Sequence, residues 1–260
     1  MIVSLEVVPR DRETIAASVK TALAFPEISL INVPDLTKFP IRSWDACEII
    51  ARVQAERDTA RPLSVMPHIR AVDFNLNKPF PRELLSVDRA LVIAGDLPLG
   101  DQSGGDPHVG MAQKTYQTET PAFIRKIKSE MPGLKIYAAF DPYRSNIHYE
   151  LDYLKAKEDS GADGFMSQPF FDLRLLEIYA EYLEGKDVFW GVSPVLSASS
   201  RNYWESRNRA IFPNSFRPEL DWNIEFGRRV LGFCRDRGFN LYLMPIKVDI
   251  EAYLTGLFAK

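Results

Sequence analysis

The stretch Ile2-Val3-Ser4-Leu5-Glu6 is a short apolar run that ends on one polar side chain. Later runs of the same kind end on Asn32, His68, Asp96 and Gln168, with helix-sized gaps between them. Apolar runs of about five residues that alternate with helical stretches are typical of parallel strands buried on both faces. In a closed parallel barrel, the carboxyl ends of all strands meet at one mouth, where such enzymes carry their chemistry. The pattern therefore predicts an α/β fold, a (β/α)8 TIM barrel, with these side chains at its mouth.

The rest of the chain can be divided into the same strand–helix units. We predict strands near 2–7, 28–33, 63–68, 89–95, 134–140, 163–168, 187–192 and 240–244. We predict helices near 12–24, 43–56, 80–86, 118–130, 147–159, 172–184, 199–208, 216–237 and 249–258. The chain of 260 residues matches the roughly 250 that a barrel of this kind needs, so residues 1–260 are interpreted as one catalytic domain.

Two loops are long enough to predict a functional role, residues 97–117 and residues 193–216. The turn after the first strand, Val7-Val8-Pro9-Arg10-Asp11, contains no glycine, which argues against an open dinucleotide-binding sheet.

Composition excludes several classes of partner. The net charge is −3 without a long basic run, so no nucleic acid is expected to bind. No apolar segment approaches the roughly 18 residues that span a bilayer, so we expect no membrane association and a cytoplasmic protein. Cys47 and Cys234 are expected to be buried helix residues, and the histidine spacing predicts no metal site.

Glu6 and His68 are the candidates for proton chemistry. A carboxyl group among the apolar neighbours of Glu6 would be desolvated, which raises its pKa toward the range of a general acid. A buried ion pair is the alternative for Glu6. His68 is a proton donor, a residue in contact with a ligand ring, or a hydrogen-bonded histidine of the barrel core.

Asp96 and Gln168 are candidates for ligand binding. Gly95 before Asp96 permits close approach of a planar ligand, although an aspartate there also suits the start of a loop. Gln168 carries an amide suited to the donor–acceptor edge of a heterocycle such as a pterin. In the alternative interpretation, Gln168 satisfies backbone groups, Phe170 and Phe171 belong to the core, and Asp172 caps the next helix.

Taken in order, these strand ends resemble the methylenetetrahydrofolate reductase family. The similarity rests on Ser4-Leu5-Glu6-Val7-Val8-Pro9, on Pro67-His68, on Ala90–Pro98 and on Ala138-Ala139-Phe140. The longest similar segment is Leu154–Asp172, which reads LKAKEDSGADGFMSQPFFD and resembles the family pattern LKxKxxAGAxxxxTQxFFD.

The resemblance implies reduction of 5,10-methylenetetrahydrofolate to 5-methyltetrahydrofolate, with NAD(P)H as hydride donor and FAD as the intermediate carrier. Glu6 would then be the general acid. The folate would be bound by Asp96, Gln168, Phe170 and Phe171. The residues implied for cofactor binding are His68, Asp96, Phe140, Glu150 and Lys157.

Three stretches depart from the family pattern, all at its flavin contacts. Ala94 replaces an arginine, Val33-Pro34-Asp35 replaces Thr-Tyr-Gly, and Phe140–Arg144 replaces Tyr-Pro-Glu-x-His. Hydride transfer through FAD and direct transfer from the nicotinamide are therefore both open. Two further alternatives are a non-redox pterin-binding barrel of the methyltransferase type and a non-catalytic barrel subunit on a redox or corrinoid partner. The chain could also form a homo-oligomer.

Overall fold

The computed structural model describes residues 1–57, 61–84, 86–95 and 115–259. Its strands form a closed parallel barrel in chain order, in which the last strand pairs with the first. The predicted (β/α)8 barrel is therefore confirmed. The strands are β1 (Val3–Glu6), β2 (Ile28–Val33), β3 (Ser64–Arg70), β4 (Arg89–Ile93), β5 (Lys135–Phe140), β6 (Gly164–Pro169), β7 (Val188–Val192) and β8 (Asn240–Leu243).

Helices pack around the barrel and lie close to the predicted ranges. They are α1 (Arg12–Ala24), α2 (Ser43–Glu56), α3 (Thr120–Glu130), α4 (Ile147–Asp159), α5 (Leu173–Tyr182), α6 (Ala198–Asn208), α7 (Leu220–Arg237) and α8 (Ile250–Phe258).

Several helices begin at a side chain that caps their first turn. The carboxylate of Asp11 accepts from the backbone N–H of Thr14, and Asn146, Ser197 and Asp249 cap α4, α6 and α8 in the same way. Such caps satisfy N–H groups that have no partner within the helix. Asp172 caps α5, which confirms that interpretation of this residue.

The connection between β3 and β4 differs from the prediction. Instead of a helix near 80–86, the described residues form two three-residue 3-10 helices, Ala71–Asp73 and Arg82–Leu84. Pro79 and Pro81 have no N–H to donate to a helical ladder, which disfavours a continuous helix. Packing holds this connection, since the Phe80 ring lies 5.2 Å from that of Phe74 and 6.0 Å from that of Phe123.

Two apolar layers follow from the alternation of side chains along each strand. One set fills the space between the strands and the helices, and Phe140, Phe170 and Trp190 belong to it. The other set fills the barrel interior: Leu30, Met66, Leu91, Tyr137, Met166, Phe189, Tyr242 and Met244. A residue two positions along a strand from a member of the interior set therefore also faces inward.

The described residues also bear on three expectations from composition. Cys47 on α2 and Cys234 on α7 are buried, free thiols, as predicted. Within the described ranges, no His, Cys, Asp and Glu side chains are grouped so that they could hold a metal ion. None of the described helices combines the length and apolarity needed to cross a bilayer.

Candidate active site

The barrel mouth brings together side chains that lie far apart in the sequence. Asn32 lies two residues after Leu30, His68 two after Met66, and Gln168 two after Met166, so all three follow interior residues of their strands. Glu6 is the last residue of β1 and pairs in register with Asn32. The structure therefore places four of the five polar strand ends at one mouth, and the fifth, Asp96, lies outside the described residues.

Glu6 is held by a tyrosine from the neighbouring strand. The hydroxyl of Tyr242 on β8 donates a hydrogen bond to Oε2 of Glu6. Burial raises the pKa of Glu6 to about 7, and the hydrogen bond from Tyr242 partly offsets that rise. Among the described residues nothing bonds to Oε1, so this is the oxygen on which a proton of the carboxyl would reside. The carboxyl of Glu6 can therefore hold a proton at neutral pH.

Tyr242 was not among the residues singled out from the sequence. Burial raises its pKa well above the ordinary value of a tyrosine, so its hydroxyl stays a donor. The signal that could have found it is its position in Asn240-Leu241-Tyr242-Leu243, where alternation places its hydroxyl-bearing side chain on the inward face near the carboxyl end of the last strand.

His68 is a neutral imidazole inside the mouth. Burial lowers its pKa to about 4, and the charge of Asp35 opposes this only in part. Its ring meets the ring of Tyr242 edge-on, with 6.4 Å between the centroids. Its Nε2 is buried and has no hydrogen-bond partner among the residues that the structure describes. A neutral imidazole with an unpaired nitrogen can donate to or accept from a ligand, depending on its tautomer.

Asn32 contributes a second unpaired polar atom on the adjacent strand. Its Nδ2 donates to Oγ of Ser4, which fixes the amide against β1. Its Oδ1 is buried, and no group within the described ranges bonds to it. Asn32 and His68 therefore form a polar lining beside Glu6 and Tyr242.

Gln168 is exposed, unlike its neighbours Ser167 and Pro169. The register between β6 and β7 shifts between Met166 and Pro169, and such an irregularity re-aims side chains. Gly191 on β7 permits β6 to approach closely at this point, because a Cβ there would lie 2.7 Å from the carbonyl oxygen of Ser167. The amide of Gln168 is therefore free to meet a ligand.

Two of the three aromatic residues predicted at the site lie in the layer between barrel and helices. Phe140 and Phe170 pack against Trp190 with centroid distances of 5.9 and 5.5 Å. Phe171 belongs to another cluster, where its ring stacks on that of Phe212 at 4.3 Å. All three side chains are almost fully buried, so their role as core residues, the alternative interpretation, accounts for their position.

Glu150 and Lys157, assigned to the cofactor by the resemblance, are buried under β5. Lys157 Nζ donates to the carbonyl oxygen of Ala139 at 2.7 Å, and Glu150 Oε1 accepts from the backbone N–H of Asp141 at 3.3 Å. Burial lowers the pKa of Lys157 to about 8. Both side chains thus support the strand end and the loop after it, away from the mouth.

These positions test the fit of a flavin. Of the cofactor residues within the described ranges, only His68 faces the mouth. Phe140, Glu150 and Lys157 are enclosed by protein and already have partners there. This residue set does not fit a bound FAD.

A network of ion pairs occupies the loops after β2 and β3. Arg42 Nε lies 2.8 Å from Asp35 Oδ1, and Arg42 Nη2 lies 2.6 Å from Asp73 Oδ2. Arg70 Nη1 lies 3.4 Å from Asp73 Oδ1. The two carboxylates are almost fully buried, so the network closes this part of the rim with protein charges.

Comparison with known proteins shows the fold alone. No family model matches the chain, and no curated protein does. Among solved structures, the chain is similar to 2,3-dimethylmalate lyase of the PEP mutase/isocitrate lyase superfamily, with a TM-score of 0.53, 11% identity, and 95% of this chain and 75% of that one covered.

Two further solved structures are similar to the same degree. A dihydropteroate synthase from Xanthomonas albilineans has a TM-score of 0.51 and 13% identity over 98% of this chain and 89% of that one. An oxaloacetate acetylhydrolase has a TM-score of 0.53 and 10% identity over 98% of this chain and 79% of its own. At such low identity, the similarity agrees with the closed barrel and carries no statement about the reaction.

Proposed function

We propose that this chain reduces 5,10-methylenetetrahydrofolate to 5-methyltetrahydrofolate, with Glu6 as general acid and a nicotinamide dinucleotide as direct hydride donor. The observation that carries the proposal is the carboxyl of Glu6 at the mouth, with a pKa of about 7. The resemblance of Leu154–Asp172 to the reductase family supplies the substrate class.

The reaction needs one proton and one hydride. In the substrate, the methylene carbon bridges two nitrogens. Protonation of one of these nitrogens by Oε1 of Glu6 breaks its bond to the methylene carbon, and that carbon forms an iminium with the other nitrogen. The nicotinamide then delivers hydride to the methylene carbon, which becomes the methyl group, and leaves oxidised. The iminium is formed only when the acid is protonated, so a carboxyl with an ordinary pKa would be a poor donor at neutral pH.

Each polar residue of the mouth has a proposed role. Tyr242 orients the carboxyl of Glu6, and Gln168 binds the edge of the pterin through its exposed amide. Asn32 and His68 present polar atoms to the nicotinamide ring, which lies beside the folate. Asp96 stays a prediction as a further pterin ligand.

Direct hydride transfer is favoured over a flavin carrier because of where the cofactor residues lie. Phe140, Glu150 and Lys157 are enclosed, whereas His68 is the single one at the mouth within the described ranges.

A second candidate function is a non-redox barrel that binds a pterin and transfers a one-carbon group. The exposed amide of Gln168 suits this function equally well, but transfer of a methyl group from folate also calls for an acid near the pterin. The presence or absence of folate-dependent NAD(P)H oxidation separates the two.

The test combines an absorbance spectrum with an activity assay of the purified chain. We expect a colourless protein that oxidises NADH or NADPH only when methylenetetrahydrofolate is added. Glu6→Gln should lower the rate of folate reduction by about 10²–10⁴-fold. Glu13→Gln on the exposed face of α1 is the matched control and should keep the wild-type rate. Folate binding without NAD(P)H oxidation would support the second candidate instead, and no folate binding would refute both.

A further inference from the structure

Four large apolar side chains are exposed on the side of the barrel that carries α5 and α6. Ile178 and Tyr182 on α5 expose 46% and 56% of their surface, and Tyr203 on α6 and Ile211 after it expose 58% and 59%. A single exposed apolar side chain is ordinary, but a contiguous group of them marks an interaction surface. Whether the two pairs belong to one surface depends on the packing between α5 and α6.

An aromatic cluster connects α5 with α6 and with the loop after α6. Leu175 of α5 packs against this cluster, in which the ring of Phe171 stacks on that of Phe212 at 4.3 Å and lies 5.5 Å from that of Trp204. The ring of the exposed Tyr203 lies 6.1 Å from that of Trp204. The exposed part of α6 therefore borders the same cluster as α5.

Along α5, an apolar stripe runs from this cluster into solvent. Leu175, Ile178 and Tyr182 are three and four residues apart, so they follow one side of the helix. Leu175 is partly buried and the other two are exposed, so the stripe emerges as it leaves the cluster. The two exposed pairs thus belong to one surface. We call it the α5–α6 surface, formed by Ile178, Tyr182, Tyr203 and Ile211 with the charged residues beside them.

The two halves of the α5–α6 surface carry opposite charges. On α5, Glu177 and Glu181 each stand directly before an exposed apolar residue and repeat at a spacing of four. On the other half, the exposed Arg207 lies one helical turn after Tyr203, and the exposed Arg217 follows in the loop before α7. Within the described ranges, none of these four charged side chains takes part in an ion pair, unlike their neighbours on both helices.

Opposite charges on the two halves make the surface complementary to itself. In a two-fold dimer both copies use the same surface, so one half of the first copy can meet the other half of the second. The acidic side of α5 then faces the arginines of α6 and the following loop, and this contact occurs twice. A pairing of α5 with α5 would instead place like charges together, which is unfavourable. Burial of the exposed apolar side chains supplies the non-directional part of the association.

We propose that the α5–α6 surface binds a second copy of this chain in a two-fold dimer, in which α5 of each copy packs on α6 and the following loop of the other. The charge pattern selects this occupant, because each half of the surface is matched by the half that the second copy brings. The inference is independent of the proposed function, since it uses the outer side of the barrel and none of the residues proposed to act in the reaction.

Sedimentation velocity of the full chain tests the pairing. At about 50 µM we expect a species of twice the 29.6 kDa of one chain, because specific interfaces of standard size hold at micromolar concentration or below. Two variants each reverse the charge of one half, Glu177→Lys/Glu181→Lys on α5 and Arg207→Glu/Arg217→Glu on the other half. Each variant alone should be monomeric, since like charges would then face each other at both contacts.

An equal mixture of the two variants tests the two-fold geometry itself. One variant keeps its arginines and the other keeps its glutamates, so in a mixed pair both contacts join opposite charges. We therefore expect the mixture to form a dimer although neither component does. The control Glu48→Lys/Glu56→Lys reverses two exposed charges on α2. This helix follows β2, four strands from the β6 that precedes α5, so the control should dimerise as the wild type does.

The inference is wrong if the wild type is monomeric at this concentration, if either charge-reversed variant dimerises alone, or if the mixture stays monomeric. Pairing in the mixture also guards against a folding defect, since unfolded variants could not restore the dimer. If the wild type dimerises in this way but shows no folate-dependent oxidation, the proposed function fails and the dimer stands.

Discussion

The hydroxyl of Tyr242 donates a hydrogen bond to Oε2 of Glu6 across the junction between the last strand and the first. The two strands are paired so that Ser4 lies opposite Tyr242, which brings the tyrosine alongside the end of β1. Closure of the barrel creates this pairing. It therefore lets a tyrosine near one end of the chain bond to a carboxyl group near the other end. The hydrogen bond also links the pKa of Glu6 to a single removable hydroxyl.

Tyr242→Phe should shift the pH dependence of folate reduction. The hydrogen bond lowers the pKa of Glu6, so its loss should raise that pKa and extend activity to higher pH by up to about one unit. The measurement is kcat/KM against pH from 6 to 9. Tyr137→Phe is the matched control, because this interior tyrosine bonds to Asp187 instead. An unchanged profile in Tyr242→Phe would show that the hydroxyl does not act on the acid.

Glu6→Gln should change how stability depends on pH. The pKa of Glu6 is about 7 in the folded state and near 4.5 when the chain unfolds, so the unfolded state loses its proton first. The wild type is therefore most stable below pH 4.5 with respect to this group, and it loses that contribution as pH rises to 7. Chemical denaturation at pH 5 and pH 8 should show that Glu6→Gln reduces the loss by on the order of 2 kcal/mol. Glu13→Gln should leave it unchanged.

His68→Gln should reduce the sensitivity of the fold to acid. Burial lowers the pKa of His68 from 6.5 to about 4. Between these pH values the imidazole therefore binds a proton in the unfolded chain and not in the folded one. The contribution of this group is complete above pH 6.5 and is lost as pH falls toward 4. The difference in unfolding free energy between pH 7 and pH 4 should shrink by on the order of 2 kcal/mol. The exposed His148 provides the control, His148→Gln, and an equal effect there would contradict the assignment.

Phe170→Leu should affect stability and Gln168→Ala should affect folate binding, although the two residues are only two positions apart. Phe170 is fully buried against Trp190, so its replacement should lower the free energy of unfolding by about 1–2 kcal/mol and leave the folate KM unchanged. Gln168 is exposed, so its replacement should change stability by less than about 0.5 kcal/mol and raise the folate KM. Thermal melts and steady-state kinetics measure both. A raised folate KM in Phe170→Leu would indicate instead that Phe170 takes part in folate binding.

Sequence patterns could locate the barrel because each unit is specified locally. The apolar run up to Glu6 and the caps at Asp11 and Asn146 are features of a few neighbouring residues. Local patterns failed between β3 and β4, where Phe80 packs on Phe74 and Phe123, and such contacts leave no periodic signal.

The candidate site could be predicted only in part for a related reason. Alternation along a strand tells which residues share a face, and this placed His68 and Gln168 at the mouth. It does not tell which polar residues of a helix are buried against a strand end, as Glu150 and Lys157 of α4 are against the end of β5.

The sequence by itself determined the strand–helix units, polar residues at or near the ends of five strands and the number of strands needed to close a barrel. Only the tertiary structure decided that Tyr242 meets Glu6 and that the aromatic pair at 170–171 is buried in the core. The physical reason is that backbone geometry and amphipathic pattern act over a few residues, whereas desolvation and hydrogen bonding depend on neighbours that closure of the barrel supplies.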